Sequence, residues 1–308
     1  MKRTSARMGA VDVTLSEAGM TSPEPPKLAI FADLTDQTMP IVAFASEVEA
    51  RGLSGLFLNE HTHIPVDCPT SHFPPGGPIP ERYAHFWDPF IALSFVAATT
   101  SLEIGTAVSL VGEHDPIQLA HAVATLDALS DGRLTLGVGW GWNREEFANH
   151  GRPPTHRAQV VEEWVGVMRT LWCDEIATYD GRFVRLAPSR AWPKPRQLGG
   201  PPVLLGGPPS DRNFARVARW ADGWITMGAE IDAGALRSQL RELRDAWSQA
   251  GREPATPRVT IIHNPLRGAP PLHAVMDIAA ELGIERVLYH VFDGDRDTML
   301  RRLDRAKT

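Results

Sequence analysis

The chain alternates short apolar segments with longer segments in which apolar residues recur at helical spacing. Eight short segments, rich in β-branched and other apolar residues, predict strands at 28–31, 56–59, 102–108, 134–139, 202–205, 223–227, 258–263 and 286–291. The stretches between them predict helices at 40–51, 88–98, 116–129, 156–172, 211–221, 233–250 and 272–282. Eight consecutive βα units favour a closed (β/α)8 barrel, the TIM barrel, over an open doubly wound sheet.

An open Rossmann-type sheet is the alternative architecture. Its glycine-rich phosphate loop should follow the first strand, but Ala32, Asp33 and Leu34 stand there instead. We therefore predict a single α/β barrel domain over residues 27–308. Residues 1–26 show no sustained period and end in a proline-rich stretch, so we predict a flexible N-terminal extension there.

Two insertions interrupt the repeat. Residues 61–87, rich in Pro, Gly and His, follow the second strand and are expected to form a lid-like loop at the C-terminal face of the barrel. Residues 174–200 follow the fourth βα unit. Within them, Asp180-Gly181 between apolar-alternating arms predicts a β-hairpin over 176–184, and the prolines of 192–195 predict an extended loop. We expect both insertions to shape a substrate pocket.

Composition narrows the function classes. Hydrophobic residues make up 43% of the chain and charged residues 22%, which is typical of a folded globular protein. The net charge of -6 argues against a nucleic-acid partner and favours a small-molecule ligand. Cys68 and Cys173 have no disulfide or zinc-site spacing. No apolar run of the length that a secretion signal requires follows the N-terminus, and the longest apolar run of the chain, 90–98, is too short to span a membrane. We therefore expect a cytoplasmic protein without a membrane partner.

Titratable side chains follow the second predicted strand. Glu60, His61 and His63 stand where that strand meets the C-terminal face, and a carboxyl or imidazole there can exchange a proton near neutral pH. The alternative is that they only hydrogen-bond to loop backbone. A third ligand at metal-site spacing is not visible, so no metal is predicted.

Glycine-rich segments follow the fourth and fifth predicted strands. The first runs from Gly137 to Asn143 and includes Trp140, Gly141 and Trp142; its alternating glycines would let a flat ligand approach the backbone. The alternative is that these glycines serve only the turn and the two tryptophans only pack in the core. In the second, Gly206, Gly207 and Ser210 precede a helix and suit a phosphate. An ordinary helix cap by Ser210 or Asp211 is the alternative.

Together, these strand ends resemble the luciferase-like monooxygenase superfamily, and more narrowly its branch that uses the deazaflavin coenzyme F420 instead of FMN. The resemblance extends from about Lys27 to Phe292 and is carried by 59–65, 125–133 with 137–143, and 206–207 with 221–224. It implies a ring across the C-terminal mouth of the barrel and a phosphate near the fifth strand. The implied cofactor contacts are Glu60, His61, Ala107, Val108, Trp140, Gly141, Trp142, Asn143, Gly206, Gly207 and Ser210.

The resemblance also implies a non-proline cis peptide bond at Ala107-Val108 and an oxidoreductase that transfers a hydride between F420 and a small organic substrate. His61 or Glu60 would be the proton donor. The alternatives are an FMN-dependent monooxygenase that uses O2 and a flavin-binding barrel without turnover.

The sequence departs from the family's pattern at two positions. Trp142 stands where some F420-dependent relatives carry an acid, and two prolines separate Gly207 from Ser210. Relatives commonly form homodimers. The apolar stretches 88–98 and 116–129 could supply such an interface or could equally pack inward.

Overall fold

The structure is a computed structural model that describes residues 24–69, 77–228, 232–253, 256–265, 268, 270–292 and 294–307. Residues 1–23 of the predicted extension lie outside the described residues, as do residues 70–76 of the first insertion. The predicted flexibility of the extension therefore stays a prediction.

The described residues contain ten strands, eight of which close into a parallel barrel in the order β1-β10-β9-β8-β7-β4-β3-β2. This arrangement confirms the (β/α)8 barrel. Each predicted barrel strand overlaps an observed one. The strands are β1 (Lys27–Ala32), β2 (Gly55–Leu58), β3 (Glu103–Ser109), β4 (Leu134–Val138), β5 (Ala177–Asp180), β6 (Arg185–Ser189), β7 (Val203–Gly206), β8 (Gly223–Gly228), β9 (Arg258–His263) and β10 (Arg286–Val291).

The α-helices in the described residues are α1 (Ile41–Ala50), α2 (Pro89–Thr99), α3 (Pro116–Leu129), α4 (Arg144–Asn149), α5 (Arg157–Cys173), α6 (Asp211–Trp220), α7 (Ala233–Gln249), α8 (Leu272–Leu282) and α9 (Arg296–Arg305). The sequence did not predict α4 or α9. The first has six residues, too few to display a period, and the second buries only Met299 and Leu303 among charged side chains. Within the described residues, no helix combines the length and apolar character needed to span a bilayer.

The core explains which end of the barrel is open. Every residue of β4 and β10 is buried, as expected for parallel strands covered by helices on the outside. At the N-terminal end, the buried side chain of Arg286 lies 2.8 Å from the Oε2 atom of Glu103 and fills the floor. The C-terminal ends of the strands therefore surround the accessible mouth.

The predicted hairpin is present, but its turn lies later in the chain than predicted. Strands β5 and β6 pair antiparallel, and residues 181–184 connect them, so the second arm begins at Arg185 instead of directly after Gly181. The Glu163 carboxylate of α5 accepts hydrogen bonds from the backbone N–H groups of Arg182 and Phe183, at 3.0 and 2.8 Å. These contacts with α5 hold the longer turn in place.

Candidate active site

A cavity of about 620 Å³ opens at the C-terminal ends of the barrel strands. Each of the eight barrel strands contributes residues to its wall, from the C-terminal end of the strand or the segment that follows. The cavity therefore lies where barrel enzymes place their active sites. The lining residues are Phe31, Asp33, Asn59, Glu60, His61, Tyr83, Ala107, Val108, Leu110, Gly139, Trp140, Gly141, Trp142, Arg157, Gly206, Gly207, Pro208, Pro209, Ile225, Thr226, Met227, Ile262 and His290.

Most residues predicted for the site lie in this wall. They are Glu60, His61, Ala107, Val108, Trp140, Gly141, Trp142, Gly206 and Gly207. Asn143 and Ser210 do not line the cavity. Asn143 is buried and caps α4 by accepting from the Glu146 N–H at 3.0 Å, and Ser210 caps α6 by accepting from the Asn213 N–H at 3.3 Å. For Ser210, the alternative interpretation as a helix cap accounts for its geometry.

His61 is held in one orientation by a carboxylate. Its Nδ1 atom lies 2.6 Å from Oε2 of Glu146, whose Oε1 accepts a hydrogen bond from the Thr62 N–H at 2.9 Å. The rings of Tyr83 and Trp142 lie 5.3 Å from the imidazole, centroid to centroid. With Nδ1 committed to Glu146, Nε2 is the ring nitrogen left for a ligand in the cavity.

Glu60 is an anchor for the segment after β3. Its carboxylate accepts hydrogen bonds from Ser109 Oγ and the Leu110 N–H, both at 2.6 Å, and lies 2.7 Å from Nε2 of His114. Burial raises the pKa of Glu60, but these hydrogen bonds and the charge of His114 outweigh it and hold the pKa below its ordinary value. An ionised, fully engaged carboxylate is a poor acid. The geometry therefore favours His61 over Glu60 as a proton donor.

His63, the third titratable residue predicted at this strand end, lies outside the cavity wall. Its ring nitrogens contact Thr62 Oγ1 and Asn149 Nδ2, each at 2.9 Å. In the part of the chain that the structure describes, no group of three or more His, Cys, Asp or Glu side chains is arranged to hold a metal ion.

The end of β3 forms an irregular wall of the cavity. The peptide bond between Ala107 and Val108 is cis, and the pairing of β3 with β4 shifts register between Thr106 and Ser109. The Val108 side chain then packs against two glycines. A Cβ atom on Gly139 would lie 2.6 Å from Val108 Cγ2, and one on Gly206 would lie 2.7 Å from Val108 Cγ1. Only glycine fits at these two positions.

The β4 and β7 side of the cavity is basic. Arg157, at the start of α5, lines the cavity and makes no hydrogen bond or ion pair with the described residues. Burial, with the neighbouring charge of Arg144, lowers its pKa. Arg216 of α6 lies over the Trp140 ring at 5.2 Å. A half-buried guanidinium without a carboxylate suits an anionic ligand next to Gly206 and Gly207.

The opposite wall carries a polar cluster around Asp33. Its Oδ1 accepts from Asn59 Nδ2 at 2.9 Å and lies 3.0 Å from His290 Nε2, while Oδ2 accepts from Arg82 Nε at 3.2 Å. Sequence reasoning missed Asp33, His290 and Arg157. The signal for Asp33 was its position directly after the first strand, whereas nothing in the periodicity singles out Arg157.

The two insertions differ in their relation to the cavity. Tyr83 of the first insertion lines it. No residue of 174–200 does, which corrects the expectation that both insertions shape the pocket. The second insertion leads into β7 from the N-terminal end of the barrel, and its hairpin packs on the outside of α5, where Phe183 and Val184 contact the cluster of Phe147, Val160 and Trp164.

A sequence comparison identifies the family of this chain. A model of the luciferase-like monooxygenase family matches residues 15–281. The chain belongs to this family. Within it, the chain is similar to an uncharacterised protein of Mycobacterium tuberculosis, with 39% identity over 274 residues that cover 88% of this chain and 94% of that protein.

Relatives with assigned activities use different cofactors. The F420-dependent glucose-6-phosphate dehydrogenase of Kineococcus radiotolerans is 29% identical, over 68% of this chain and 58% of that protein. The FMNH2-dependent dimethylsulfone monooxygenase of Pseudomonas fluorescens is 30% identical, over 52% of this chain and 44% of that protein. The chain thus spans about half the length of these two luciferase-like relatives.

Solved structures agree with the luciferase-like fold. A monooxygenase from Streptomyces bottropensis superposes with a TM-score of 0.72, covering 90% of this chain and 96% of that one at 20% identity. At this level of identity the likeness concerns the fold alone.

Proposed function

We propose that this luciferase-like protein is an F420-dependent oxidoreductase that transfers a hydride between the deazaflavin and a small organic substrate. The observation that carries the proposal is the arrangement of one cavity. It holds an unpartnered guanidinium and a glycine pair on one side, and on another side an imidazole whose Nδ1 is fixed by a carboxylate. When bound, the deazaflavin would supply the hydride chemistry, which no protein side chain offers.

The wall of the cavity fits a flat, anionic cofactor. Val108 and Trp140 offer apolar surface for a ring, and Gly206 leaves no side chain of its own in the wall. The guanidinium of Arg157, on the same side of the cavity as the glycine pair, would hold a phosphate. This assignment takes the place of the predicted role of Ser210.

The protein's own contribution to the reaction is proton handling and exclusion of water. His61 would donate a proton from Nε2 to a substrate oxygen or accept one there, depending on the direction of the reaction. Glu146 orients the imidazole and stabilises its protonated form. Tyr83 and Trp142, which flank His61, would limit access of water to the substrate. We also propose that residues 61–87 act as a lid-like loop over the cavity.

Two observations favour F420 over FMN. Among the similar proteins, one named as an F420-dependent glucose-6-phosphate dehydrogenase matches over more of this chain than the FMNH2-dependent monooxygenase does. In addition, Arg157 lines the cavity and Arg216 lies over Trp140 beside the glycine pair, and neither forms an ion pair with a carboxylate among the described residues. The side chain of F420 carries more negative charge than that of FMN, so this basic region suits it better.

The test is a direct comparison of cofactors. The purified protein is titrated with F420 and, separately, with FMN, and binding is followed by cofactor fluorescence. The proposal expects F420 to bind at least tenfold more tightly than FMN. Micromolar binding of FMN without binding of F420 would overturn it.

The second candidate is an FMN-dependent monooxygenase that uses O2, which the match to the FMNH2-dependent relative supports. Oxygen consumption with reduced FMN and a substrate would favour it. A third candidate is a flavin-binding barrel without turnover. Substrate-dependent oxidation or reduction of a bound cofactor that is lost in His61→Gln, while binding is retained, would exclude this third candidate.

We further propose a homodimer formed through α2 and α3. The α2 sequence is apolar on all sides, and its Ile91 and Phe95 side chains are 64% and 55% exposed. Leu129 at the end of α3 is 77% exposed. A second copy of the chain would remove this apolar surface from water.

A further inference from the structure

A second buried carboxyl lies behind the His61 site. Glu113 ends the short turn Val111–Glu113 that follows β3, and only 5% of the residue is exposed. Neither of its carboxyl oxygens accepts a hydrogen bond from the described residues. The carboxyl is close to the cavity wall, because a Cβ atom on Gly141 would lie 3.8 Å from Glu113 Oε1.

The Glu113 carboxyl is close enough to Glu146, the carboxylate that holds His61, for the two groups to interact. Two carboxylates can form a hydrogen bond only when one of them carries a proton. Both oxygens of Glu146 already act as acceptors, for His61 Nδ1 and for the Thr62 N–H. Glu113 accepts no hydrogen bond among the described residues, and the nearest imidazole nitrogen, His150 Nε2, lies 3.4 Å from it, so Glu113 is the carboxyl to which we assign the proton.

The charges around Glu113 agree with this assignment. Burial, followed by the negative charges of Glu146 and Glu60, raises its pKa to about 9, although Arg152 opposes the rise. The guanidinium of Arg152 donates to the His114 carbonyl at 3.0 Å. The titratable and charged side chains that face Glu113 are therefore Glu60, His114, Glu146, His150 and Arg152.

His150 provides a route by which Glu113 can exchange its proton with solvent. Its Nε2 atom lies 3.4 Å from Glu113 Oε2, and its side chain is 24% exposed. Burial and the neighbouring His63 lower the pKa of His150, so at neutral pH this imidazole is uncharged and able to pass a proton on.

We propose that Glu113 is a positioning residue for His61: its protonated carboxyl donates a hydrogen bond to Glu146, which leaves a single negative charge facing Nδ1 of the imidazole. Ionisation of Glu113 at alkaline pH adds a second negative charge behind Glu146. By Coulomb's law at an effective dielectric constant near 20, this charge strengthens the hold of His61 on its proton by roughly tenfold or more. The role in catalysis rests on the proposed function, whereas the effect on His61 does not.

The experiment follows His61 itself in the cofactor-free protein. The imidazole nitrogens are observed by NMR between pH 5 and pH 10 in the wild type, in Glu113→Gln and in Glu145→Gln, with His61→Gln used for assignment. Glu113→Gln keeps a neutral donor of the same shape but cannot ionise. Glu145→Gln removes a carboxylate from the same helix as Glu146 and is the matched control.

The wild type and Glu145→Gln are expected to show an alkaline inflection in the His61 resonances near pH 9, and Glu113→Gln is expected to lack it. A wild type without this inflection, or an inflection that persists in Glu113→Gln, would overturn the proposal. A wild type without the inflection overturns the proposal even if Glu113→Gln does not fold.

A second arm separates this inference from the proposed function. The pH profile of F420-dependent turnover is measured in the same three proteins. Turnover should fall by about tenfold or more between pH 8 and pH 10 in the wild type and remain flatter in Glu113→Gln. If the NMR inflection behaves as expected but F420 supports no turnover, the function is wrong and the role of Glu113 stands. If His61-dependent turnover exists but neither readout responds to Glu113→Gln, the role of Glu113 is wrong.

Discussion

The Nδ1 atom of His61 lies 2.6 Å from Oε2 of Glu146, although 85 positions separate the two residues in the chain. His61 follows β2, and Glu146 belongs to the first turn of α4, which the Asn143 cap places directly after β4. The contact therefore exists only in the closed barrel. It gives the cavity a histidine with one fixed tautomer, which a proton donor or acceptor requires.

Replacing Glu146 by Gln should impair the reaction more than cofactor binding. The carboxamide no longer stabilises a protonated imidazole and can donate to Nδ1, which would favour the wrong tautomer. We expect F420-dependent turnover to fall about 100-fold, within the range of general acid–base catalysis, while the Kd of F420 changes by less than about threefold. Turnover is measured from F420 absorbance with Glu145→Gln as control. Undiminished turnover would show that Glu146 does not serve His61.

Replacing Arg157 by Gln should weaken cofactor binding. The guanidinium lines the cavity and has no carboxylate partner among the described residues, so a bound anion would be its main electrostatic contact. We expect the Kd of F420 to rise about tenfold, or about 1.4 kcal/mol, and its dependence on salt to become weaker. Arg241→Gln, on the exposed surface of α7, is the control. Equal affinities in the two variants would place the phosphate elsewhere.

Much of the fold, but less of the site, follows from the sequence. The bounds of α3 and α8 agree with the predicted 116–129 and 272–282, because each buries a long apolar stripe between clear end signals. Strand ends in a parallel barrel share one face, so Glu60, Val108, Trp140 and Gly206 could be placed together from the strand pattern alone.

The remaining site residues depend on tertiary packing. Glu146 lies in the first turn of α4, and Arg157 is the first residue of α5. The positions of both side chains depend on the short helix α4, which has too few residues to show a helical period in the sequence. Glu113 lies in the short turn after β3, and its carboxyl approaches Glu146 of α4 only when β3 and β4 have paired. The hairpin turn was misplaced for a related reason, because Glu163 of α5 stabilises a longer loop than Asp180-Gly181 alone would form.

Replacing His114 by Ala should destabilise the fold. The imidazole pairs with the buried Glu60, and the variant would leave a buried carboxylate with only Ser109 Oγ and the Leu110 N–H. We expect the free energy of unfolding to fall by about 3 kcal/mol at pH 6, measured by urea unfolding. Burial lowers the pKa of His114, but Glu60 outweighs it and raises the pKa above its ordinary value.

The stabilisation from His114 is therefore fully present at low pH and is lost as the pH rises above the raised pKa. The difference between His114→Ala and the wild type should shrink on the alkaline side. His273→Ala, an exposed histidine on α8, controls for the general loss of an imidazole. A destabilisation no larger than that of the control would mean that the pair contributes nothing to the fold.

Replacing Phe95 by Glu should convert a dimer into a monomer. The change places a charge in the exposed apolar surface of α2, where it would be buried against a second copy without a partner. We expect sedimentation velocity to give a dimer for the wild type and a monomer for Phe95→Glu at micromolar concentration. Val66→Glu, another exposed apolar position, is the control. A monomeric wild type would refute the proposed interface.

Replacing Glu113 by Gln should stabilise the protein at alkaline pH. The pKa of Glu113 is about 9 in the folded state, mainly because of burial, and 4.5 when unperturbed, so between these values the folded protein binds more protons than the unfolded chain. The contribution of Glu113 to wild-type stability therefore decreases as the pH rises, by up to about 1.4 kcal/mol per pH unit, whereas Gln at this position has no proton to lose. Urea unfolding of both proteins at pH 5, 7 and 9 measures the difference. The difference in free energy of unfolding between Glu113→Gln and the wild type should grow steadily from pH 5 to pH 9. A difference that stays constant over this range would mean that Glu113 is not protonated in the folded state.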